Sequence, residues 1–376
     1  MPLHVYKFGG TSVGTTERIN AVADRIRSSY ERGDQIIVVV SAMSGETNRL
    51  QALGNEISQR PSSREIDVLL ASGEQVSISL LALALIERGL QARSYLGWQV
   101  KVVTDENHSK ARIESIDVEA LQDCLNTGLI PVVAGFQGVT KGGEITTIGR
   151  GGSDASAVAV AAALQADECR IYTDVDGVYT ADPRIVEDAT RMDHVSFEEM
   201  LELASLGSKV LHPRAVEFAA NYSVTLRVLS SFEEGPGTLI TMEDGKMEQP
   251  VVSGIAHTVD EAKLTLLGVP DVPGVASRIL GPIGRASIEV DMIVQNVGAD
   301  GSTDFTFTVR RSDYERANEI LTTLMDELGA REVTGDEKIA KVSVVGVGMR
   351  SHAGVATKMF DALAAENINI QMISTS

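Results

Sequence analysis

The chain has 376 residues, of which 43% are hydrophobic and 23% are charged, a composition typical of a folded protein with two or three domains. Its formal net charge of −19 argues against a nucleic-acid-binding protein, which needs a basic face to neutralise phosphates. Two distant cysteines, Cys124 and Cys169, and six histidines without ligand spacing indicate neither a disulfide framework nor a metal site.

The apolar segments are too short to predict a membrane protein. Near the N-terminus, His4 and Lys7 interrupt any run that would resemble a signal peptide, and the most apolar stretches lie at 76–86 and 155–164. Both stretches are shorter than the about 20 residues that a membrane span needs. We therefore expect a cytoplasmic protein without a membrane partner.

Up to about residue 229, short apolar runs alternate with longer amphipathic segments. Strands are predicted at 5–8, 35–41, 100–103, 130–134, 169–173 and 224–228. Helices are predicted at 15–30, 65–88, 153–164 and 197–206. This alternation predicts an α/β sandwich on a largely parallel sheet, in which ligands bind at the carboxyl ends of the strands.

The first predicted strand continues into the sequence VYKFGGTSVG. Gly9 and Gly10 allow the backbone to approach a ligand closely, and Lys7 can direct its charge at phosphate oxygens. Neither the P-loop pattern nor the dinucleotide fingerprint is present. The alternative is a tight strand-to-helix turn with a lysine that reaches solvent.

Two further segments contribute polar groups near predicted strand or helix ends. The sequence VVSAMSGETNRL places Ser41 at a strand end with Thr47 nearby, and ASGEQVS places Glu74 beside a glycine near an apolar helix. The carboxylate of Glu74 is a candidate to bind an ammonium group. The alternative is a solvated glutamate at a helix start.

The segment TTIGRGGSDASAV combines an arginine with the start of a small, apolar helix. Arg150 stands between glycines, a setting that suits bidentate capture of a carboxylate or phosphate. Gly151, Gly152, Ser153 and Asp154 follow, where a helix N-terminus favours an anion. The alternative for Ser153 and Asp154 is ordinary helix capping, which leaves Arg150 unexplained.

The segment IYTDVDGVYTADPR leaves a strand at Thr173 and Asp174. Tyr179 is then placed to contact a base or ribose, and Arg184, next to Asp182, is placed to reach phosphates. The alternative is a hairpin with an Asp-Gly turn.

The segment LGSKVLHPRA follows at the end of the next predicted helix. Lys209 is a candidate phosphate cation or, equally, a solvated surface lysine, and His212 is interpreted as structural.

The C-terminal third contains an internal repeat. A linker is predicted at 231–250, and beyond it two copies of a strand, glycine loop, helix and strand coincide when Gly274 is set against Gly354. The first copy continues with a strand at 303–309, a helix near 313–328 and a strand near 332, which gives a βαββαβ unit. The second copy stops at Ser376, so we expect either truncation or strands supplied from elsewhere, with 251–259 as one donor.

Five segments, KFGGTSV, VVSAM, GRGGSD, TDVDGVYTADPR and KVLHPRA, together resemble the aspartate kinases of the amino-acid kinase superfamily in order and spacing. The C-terminal repeat resembles the paired ACT regulatory domains of that family. The resemblance implies an amino-acid-kinase-type α/β/α sandwich followed by ferredoxin-like ACT units. Its expected limits are 1–230 for the kinase domain, 251–340 for the first ACT-like unit and 341–376 for the second.

The implied reaction is transfer of the γ-phosphoryl group of ATP, with Mg²⁺ carried by the nucleotide, to the side-chain carboxylate of L-aspartate. The product, 4-phospho-L-aspartate, begins lysine, threonine and methionine synthesis. A carboxylate is already nucleophilic, so the reaction needs positioning and charge neutralisation rather than a general base.

The resemblance also implies a role for each motif residue. Lys7 would stabilise the transferring phosphoryl group, and Asp154 would orient that lysine or the metal. Arg150 would pair with the α-carboxylate of aspartate and Glu74 with its α-ammonium. The substrate pocket would be lined by Ser41, Thr47, Gly151, Gly152 and Ser153. The nucleotide would be held by Gly9, Gly10, Thr173, Asp174, Tyr179, Asp182, Arg184 and Lys209.

Feedback regulation is implied for the C-terminal units, with lysine or threonine as the effector and a homo-oligomer formed through the ACT-like units. The expected effector-site residues are Asp271, Gly274, Val275, Ala276, Asp291, Met292, Gln295, Asn296, Asn369 and Ile370. Two alternatives remain: a relative that phosphorylates glutamate or acetylglutamate, and an inactive amino-acid-sensing module.

Overall fold

A central eight-stranded sheet organises residues 1–254. The computed structural model describes residues 1–208, 210–242, 252–298, 301–346 and 354–375, and the chain divides into two compact units, Met1–Gly254 and Ile255–Ser376. In the described part of the first unit the strands are β1 (Leu3–Phe8), β2 (Gln35–Val40), β3 (Ala92–Tyr95), β4 (Val102–Thr104), β5 (Ile113–Ile116), β6 (Ile130–Ala134), β7 (Gln137–Thr140), β8 (Ile145–Thr147), β9 (Glu168–Thr173), β10 (His194–Ser196), β11 (Leu226–Ser230) and β12 (Thr238–Thr241).

Helices connect these strands. They are α1 (Thr16–Glu31), α2 (Glu46–Ile57), α3 (Ser63–Glu87), α4 (Glu119–Asn126), α5 (Gly152–Leu164), α6 (Phe197–Ser205) and α7 (Pro213–Asn221). The main sheet has the order β10-β12-β11-β9-β1-β2-β6-β3, and a smaller sheet has the order β5-β4-β7-β8. Strand β1 pairs in parallel with both β2 and β9, β2 with β6, and β9 with β11. The carboxyl ends of these five strands therefore meet along one edge of the main sheet.

The core of the first unit forms where α1 and α3 cover the main sheet. Ile78, Leu81 and Leu85 of α3 are buried against strand residues such as Val38 and Val40. By length and composition alone, α3 is the one helix among the described residues that is apolar enough to cross a membrane. The core helix of a soluble protein passes the same test, and half of the apolar window of α3 is buried inside the fold.

The predicted α/β architecture is confirmed. Each of the predicted strands and helices of the first unit corresponds to an observed one, with ends shifted by a few residues. The sequence did not predict the helices α2, α4 and α7, the main-sheet strands β3, β10 and β12, or three of the four short strands of the smaller sheet, namely β5, β7 and β8. Residues 238–241, inside the expected linker, form β12 and pair with β11 in the main sheet.

The second unit contains the predicted βαββαβ fold. Its elements are β13 (Gly254–Pro270), α8 (Val275–Arg285), β14 (Val290–Val297), β15 (Ser302–Arg310), α9 (Tyr314–Leu328), β16 (Glu332–Val345) and α10 (Val355–Ala365). The sheet has the order β14-β15-β13-β16. One face is closed by α8 and α9, with Leu264, Ile279, Phe307 and Leu321 fully buried.

The strand expected at the end of the second copy is not formed. Within the described residues, the segment after α10 has no strand, and Ile368 and Ile373 are 54% and 55% exposed. A strand is stable only when a neighbour satisfies its backbone hydrogen bonds, and the backbone of this segment has no such neighbour among the described residues.

We expect Gly237→Ala to destabilise the first unit more than Gly33→Ala. Both glycines have left-handed backbones, with φ of +66° and +94°, but a Cβ at Gly237 would overlap the carbonyl oxygen of Val228, whereas a Cβ at Gly33 would have nothing within 4 Å. Backbone strain should cost about 1–2 kcal/mol in each variant, and overpacking about 1–3 kcal/mol more at Gly237. Urea unfolding measures both; equal costs would contradict the expectation.

Candidate active site

A buried ion pair lies at the carboxyl end of β1. The Nζ atom of Lys7 is 2.6 Å from Oδ1 of Asp154, and the two side chains are 11% and 13% exposed. Lys7 lies in β1, one residue before its end, and Asp154 lies in the first turn of α5, where the helix dipole favours a carboxylate. The alternative of a lysine that reaches solvent is therefore wrong.

The glycines after β1 bring three strand ends together. The amide of Gly9 donates to Tyr172 O at the end of β9, at 3.3 Å. A Cβ at Gly10 would lie 2.9 Å from Ala42 O, beyond the end of β2, and one at Gly9 would lie 3.4 Å from Nζ of Lys7. Any side chain at Gly10 would push the strand ends apart, which explains the glycine there.

Glu74 lies in the middle of α3 and is only 2% exposed. Its Oε1 accepts a hydrogen bond from the amide of Ala42 at 3.0 Å, while Oε2 is buried without a hydrogen-bond partner among the described residues. Burial raises the pKa of this carboxyl group to about 8. The alternative of a solvated glutamate at a helix start is wrong, and the unpartnered oxygen fits a cationic ligand.

Ser41 and Thr47 lie on either side of the turn between β2 and α2. The amide of Ser41 donates to Phe8 O at 3.1 Å, and its carbonyl accepts from Oγ of Ser77 at 2.8 Å. Thr47, half-buried, occupies the first turn of α2. The structure thus places Ser41 beside the end of β1.

Arg150 lies on the loop between β8 and α5 and is exposed. Gly149 and Gly151 have φ of +85° and +70°, and a Cβ at Gly151 would overlap the imidazole of His212. Helix α5 has Gly151 as its N-cap, without a side-chain cap, so the alternative that Ser153 and Asp154 merely cap this helix is wrong.

The start of α5 is packed onto the end of β6. Ser153 is 9% exposed, and a Cβ at Gly135 would lie 2.9 Å from its side chain. The hydroxyl of Ser156 donates to Gly152 O at 2.8 Å and accepts from the amide of Phe136 at 3.1 Å. These contacts fix the N-terminus of α5 at the same edge of the sheet as Lys7.

The segment that follows β9 is irregular. The phenol of Tyr179 donates to Asp176 at 2.9 Å, and this bond raises the pKa of the tyrosine. An isolated bridge pairs Tyr179 with Arg191, so residues 180–190 form the loop and the Asp-Gly pair is not a hairpin turn.

The other candidate nucleotide ligands lie on or beside this segment. Arg184, 79% exposed, forms two hydrogen bonds to Asp182. Thr173 ends β9, and its hydroxyl donates to Asp174 at 3.1 Å. Lys209 lies outside the described residues.

Two functional candidates were not predicted from the sequence. Asp67 of α3 is fully buried, and its carboxylate accepts bonds from the amide of Ser109 at 3.0 Å and from Oγ1 of Thr147 at 2.6 Å, with Nδ1 of His108 at 2.7 Å. Arg214 of α7 contacts the Arg150 loop. The sequence does contain a signal for Asp67, because it is an aspartate among the apolar residues of the helix predicted at 65–88.

The expected effector residues are spread over the second unit. Gly274 is the N-cap of α8, with Val275 and Ala276 following it, and Asp271 precedes it. Asp291 is paired with Lys341, rather than free for a ligand ammonium group. The remaining candidates, on β14 and after α10, are Met292, Gln295, Asn296, Asn369 and Ile370.

Comparison with known proteins identifies the class. Residues 2–230 match the amino acid kinase family, and residues 263–328 and 342–376 each match the ACT domain. The first unit is thus an amino acid kinase domain, followed in the chain by ACT domains.

Individual relatives indicate the family more narrowly. Over its whole length the chain is 65% identical to an aspartate kinase of Stutzerimonas stutzeri and 64% identical to an aspartokinase of Pseudomonas aeruginosa, and it covers 92% of each. Its structure resembles that of E. coli aspartokinase III in complex with aspartate and ADP, with a TM-score of 0.79, 29% identity and coverage of 100% of this chain and 94% of that one. The chain belongs to the aspartate kinase family, as its motifs predicted.

The same E. coli enzyme in complex with lysine and aspartate is also similar, with a TM-score of 0.77 and 29% identity over 100% of this chain and 93% of that one.

We expect Glu74→Gln to reduce the pH dependence of stability. The pKa of Glu74 rises from 4.5 to about 8 on folding, so the folded state holds a proton that the unfolded state has released. The free energy of unfolding therefore falls as the pH rises through this interval, by at most about 1.4 kcal/mol per pH unit. Urea unfolding between pH 5 and 8, without ligands, should show a flatter profile for Glu74→Gln.

The matched control is Glu56→Gln, on the exposed surface of α2, which should keep the wild-type slope. Identical slopes for the wild-type protein and Glu74→Gln would refute the raised pKa.

Proposed function

We propose that the chain transfers the γ-phosphoryl group of ATP to the side-chain carboxylate of L-aspartate. The observation that carries this proposal is the buried pair of Lys7 and Asp154 at the carboxyl edge of the parallel sheet, 2.6 Å apart. The relatives named aspartate kinase, and the E. coli complex with aspartate and ADP, support the choice of substrates.

The ion pair supplies the charge that phosphoryl transfer requires. Because Lys7 is held by Asp154 at low exposure, its ammonium group has little freedom to turn toward water and faces the strand ends. A fixed positive charge in a site of low polarity stabilises the charge that develops on the transferring group. Mg²⁺ arrives with the nucleotide as part of the substrate.

Aspartate recognition is assigned to three groups. Arg150, exposed on the glycine loop, binds the α-carboxylate through two parallel hydrogen bonds. The α-ammonium is bound by Glu74, whose buried Oε2 has no other partner in the described residues. Ser41 lines the pocket, together with Thr47 and the start of α5.

The nucleotide is assigned to the irregular segment after β9. Thr173 and Asp174 leave the sheet edge beside Lys7, and Tyr179 presents a phenol that Asp176 orients. Arg184 must exchange its contact with Asp182 for a phosphate in order to bind ATP. Gly9 and Gly10 allow the phosphates to approach the backbone. Lys209 keeps its proposed role.

Regulation is proposed for the second unit. The complex of the E. coli enzyme with lysine supports lysine as an effector, with threonine as the second possibility, bound between ACT units of a homo-oligomer. For an ammonium group to reach Asp291, the effector would have to displace Lys341. Domain limits of 1–230, 251–340 and 341–376 and a cytoplasmic location are part of the same proposal.

We expect Lys7→Met to lower kcat by about 100-fold or more, because a charge contact to the transferring group is lost. The single variant also leaves Asp154 buried without its cation, which costs stability. The double variant Lys7→Met/Asp154→Asn removes both charges and should recover stability but not turnover. A coupled ATP/ADP assay and thermal unfolding separate the two effects.

The control is Lys141→Met, at a lysine whose side chain is 80% exposed, which should keep wild-type kcat. Wild-type turnover in folded Lys7→Met would end the proposed role of the lysine.

Arg150→Lys should raise KM for aspartate by about tenfold or more and leave KM for ATP unchanged. Lysine keeps the charge but loses the planar guanidinium that binds a carboxylate with two bonds. Initial rates with each substrate varied in turn measure both constants. A rise in KM for ATP alone would reassign Arg150 to the nucleotide.

A further inference from the structure

The loop that carries Arg150 is not held by regular secondary structure. It runs from Ile148 to Gly151, between the end of β8 and the start of α5, and its two glycines adopt left-handed backbones. A guanidinium that must meet a carboxylate with two bonds tolerates little error in position, since a displacement of about 1 Å costs on the order of 100-fold in rate. Contacts from outside the loop must therefore fix it.

We propose that Arg214 is a positioning residue for aspartate recognition, acting by fixing the loop that presents Arg150. Arg214 is the second residue of α7, and its Nη1 donates to Ile148 O at 2.7 Å. Its Nη2 donates to Ala111 O at 2.8 Å. Both acceptors belong to one connected unit, because the amide of Ala111 donates to Thr147 O at 3.0 Å.

The contacts of Arg214 are unusual for an arginine with this degree of burial. The residue is half-buried, its acceptors are two neutral carbonyl oxygens, and it forms no salt bridge among the described residues. Burial, together with the charge of Arg112, lowers the pKa of its guanidinium. The carboxylates of Asp105 and Glu217 partly oppose this effect without forming a salt bridge to Arg214. A half-buried cation whose hydrogen-bond partners are neutral is costly to desolvate, so these contacts point to a role in holding the loop rather than to a gain in stability.

Helix α7 contacts the loop at a second point. His212, the N-cap of α7, lies against Gly151 closely enough to exclude a Cβ there. Burial lowers the pKa of His212, and its neutral Nδ1 accepts from the amide of Arg214 at 3.3 Å. The hydrogen bond between His212 and Arg214 thus connects the two residues of α7 that contact the loop on either side of Arg150.

The opposite side of the loop is held by Asp67. Its carboxylate binds Ser109 and Thr147, and Ser109 O lies 3.1 Å from where a Cβ at Gly149 would be. Asp67 therefore fixes the segments before the loop from α3, while Arg214 fixes the loop itself from α7. Arg150 lies between the contact at Ile148 and the contact at Gly151.

The test compares Arg214→Lys and Arg214→Gln with a matched control, Arg88→Lys. Arg88 also donates to backbone carbonyls, those of Ala84 and Asn20, but it does so on the outer surface of α3 and α1. Neither lysine nor glutamine can span the two carbonyls that Arg214 joins. We expect both Arg214 variants to raise KM for aspartate about 10- to 100-fold, with KM for ATP within about twofold of wild type and Arg88→Lys unchanged.

A double-mutant cycle adds a readout that a purely structural role would not move. If Arg214 acts through Arg150, Arg150→Met/Arg214→Gln should have the same KM for aspartate as Arg150→Met alone. Circular dichroism and thermal unfolding establish that each variant is folded; Arg214→Lys, which keeps the charge, serves if Arg214→Gln does not fold.

The inference rests on the proposed role of Arg150, and the experiments distinguish a failure of that role from a failure of the role of Arg214. An unchanged KM for aspartate in Arg150→Lys refutes that role and this inference with it. A raised KM in Arg150→Lys, with an unchanged KM in folded Arg214→Lys, refutes the inference alone. Equal increases in both KM values for Arg214→Lys, or additive effects in the double variant, also overturn it.

Discussion

The structure of the candidate site depends on one buried charge pair. A lysine on a central strand is tolerable only if an anion compensates it, and Asp154, 2.6 Å away, reaches Lys7 only if the N-terminus of α5 lies at the carboxyl end of β1. That condition requires the close contact of Gly135 with Ser153 and a loop before α5 with left-handed glycines. The loop in turn determines where Arg150 is presented, so the charge pair and the arginine proposed to bind the substrate are linked through the start of α5.

The two carboxylates near this edge have opposite environments. Asp154 has a cation beside it, whereas Glu74 has only a backbone amide on one oxygen and nothing among the described residues on the other. In a buried site the first carboxylate is compensated within the protein, whereas the second carboxyl group has no compensating charge and burial raises its pKa. The site therefore holds its own lysine, and the proposed function assigns the uncompensated carboxyl group of Glu74 to an ammonium group of the substrate.

Residues that do not fit their predicted secondary structure could be identified from the sequence as candidates for the site. Lys7 was found because a lysine has no place in a buried strand, and Arg150 because it stands among glycines. Asp67 and Arg214 were missed because their partners lie far away in the chain: the amide of Ser109 is 42 residues from Asp67, and the carbonyl of Ile148 is 66 residues from Arg214. The burial of Glu74 was also missed, since it follows from the packing of α3 as a whole. The strand expected after α10 failed because a strand requires a neighbour that the pattern cannot supply.

The position of β1 in the middle of the sheet has a consequence for how the protein is made. Strand β1 is synthesised shortly before β2 and can pair with it early, but its other neighbour is β9, which is synthesised more than a hundred residues later. Beyond it, the hydroxyls of Ser12 and Ser231 meet across 219 positions of sequence. Parallel pairing over such separations is slow and leaves an apolar strand edge unprotected while the chain grows. The growing chain therefore leaves this edge of β1 unpaired until β9 has emerged, and a fragment without β9 and β11 lacks one side of the candidate site.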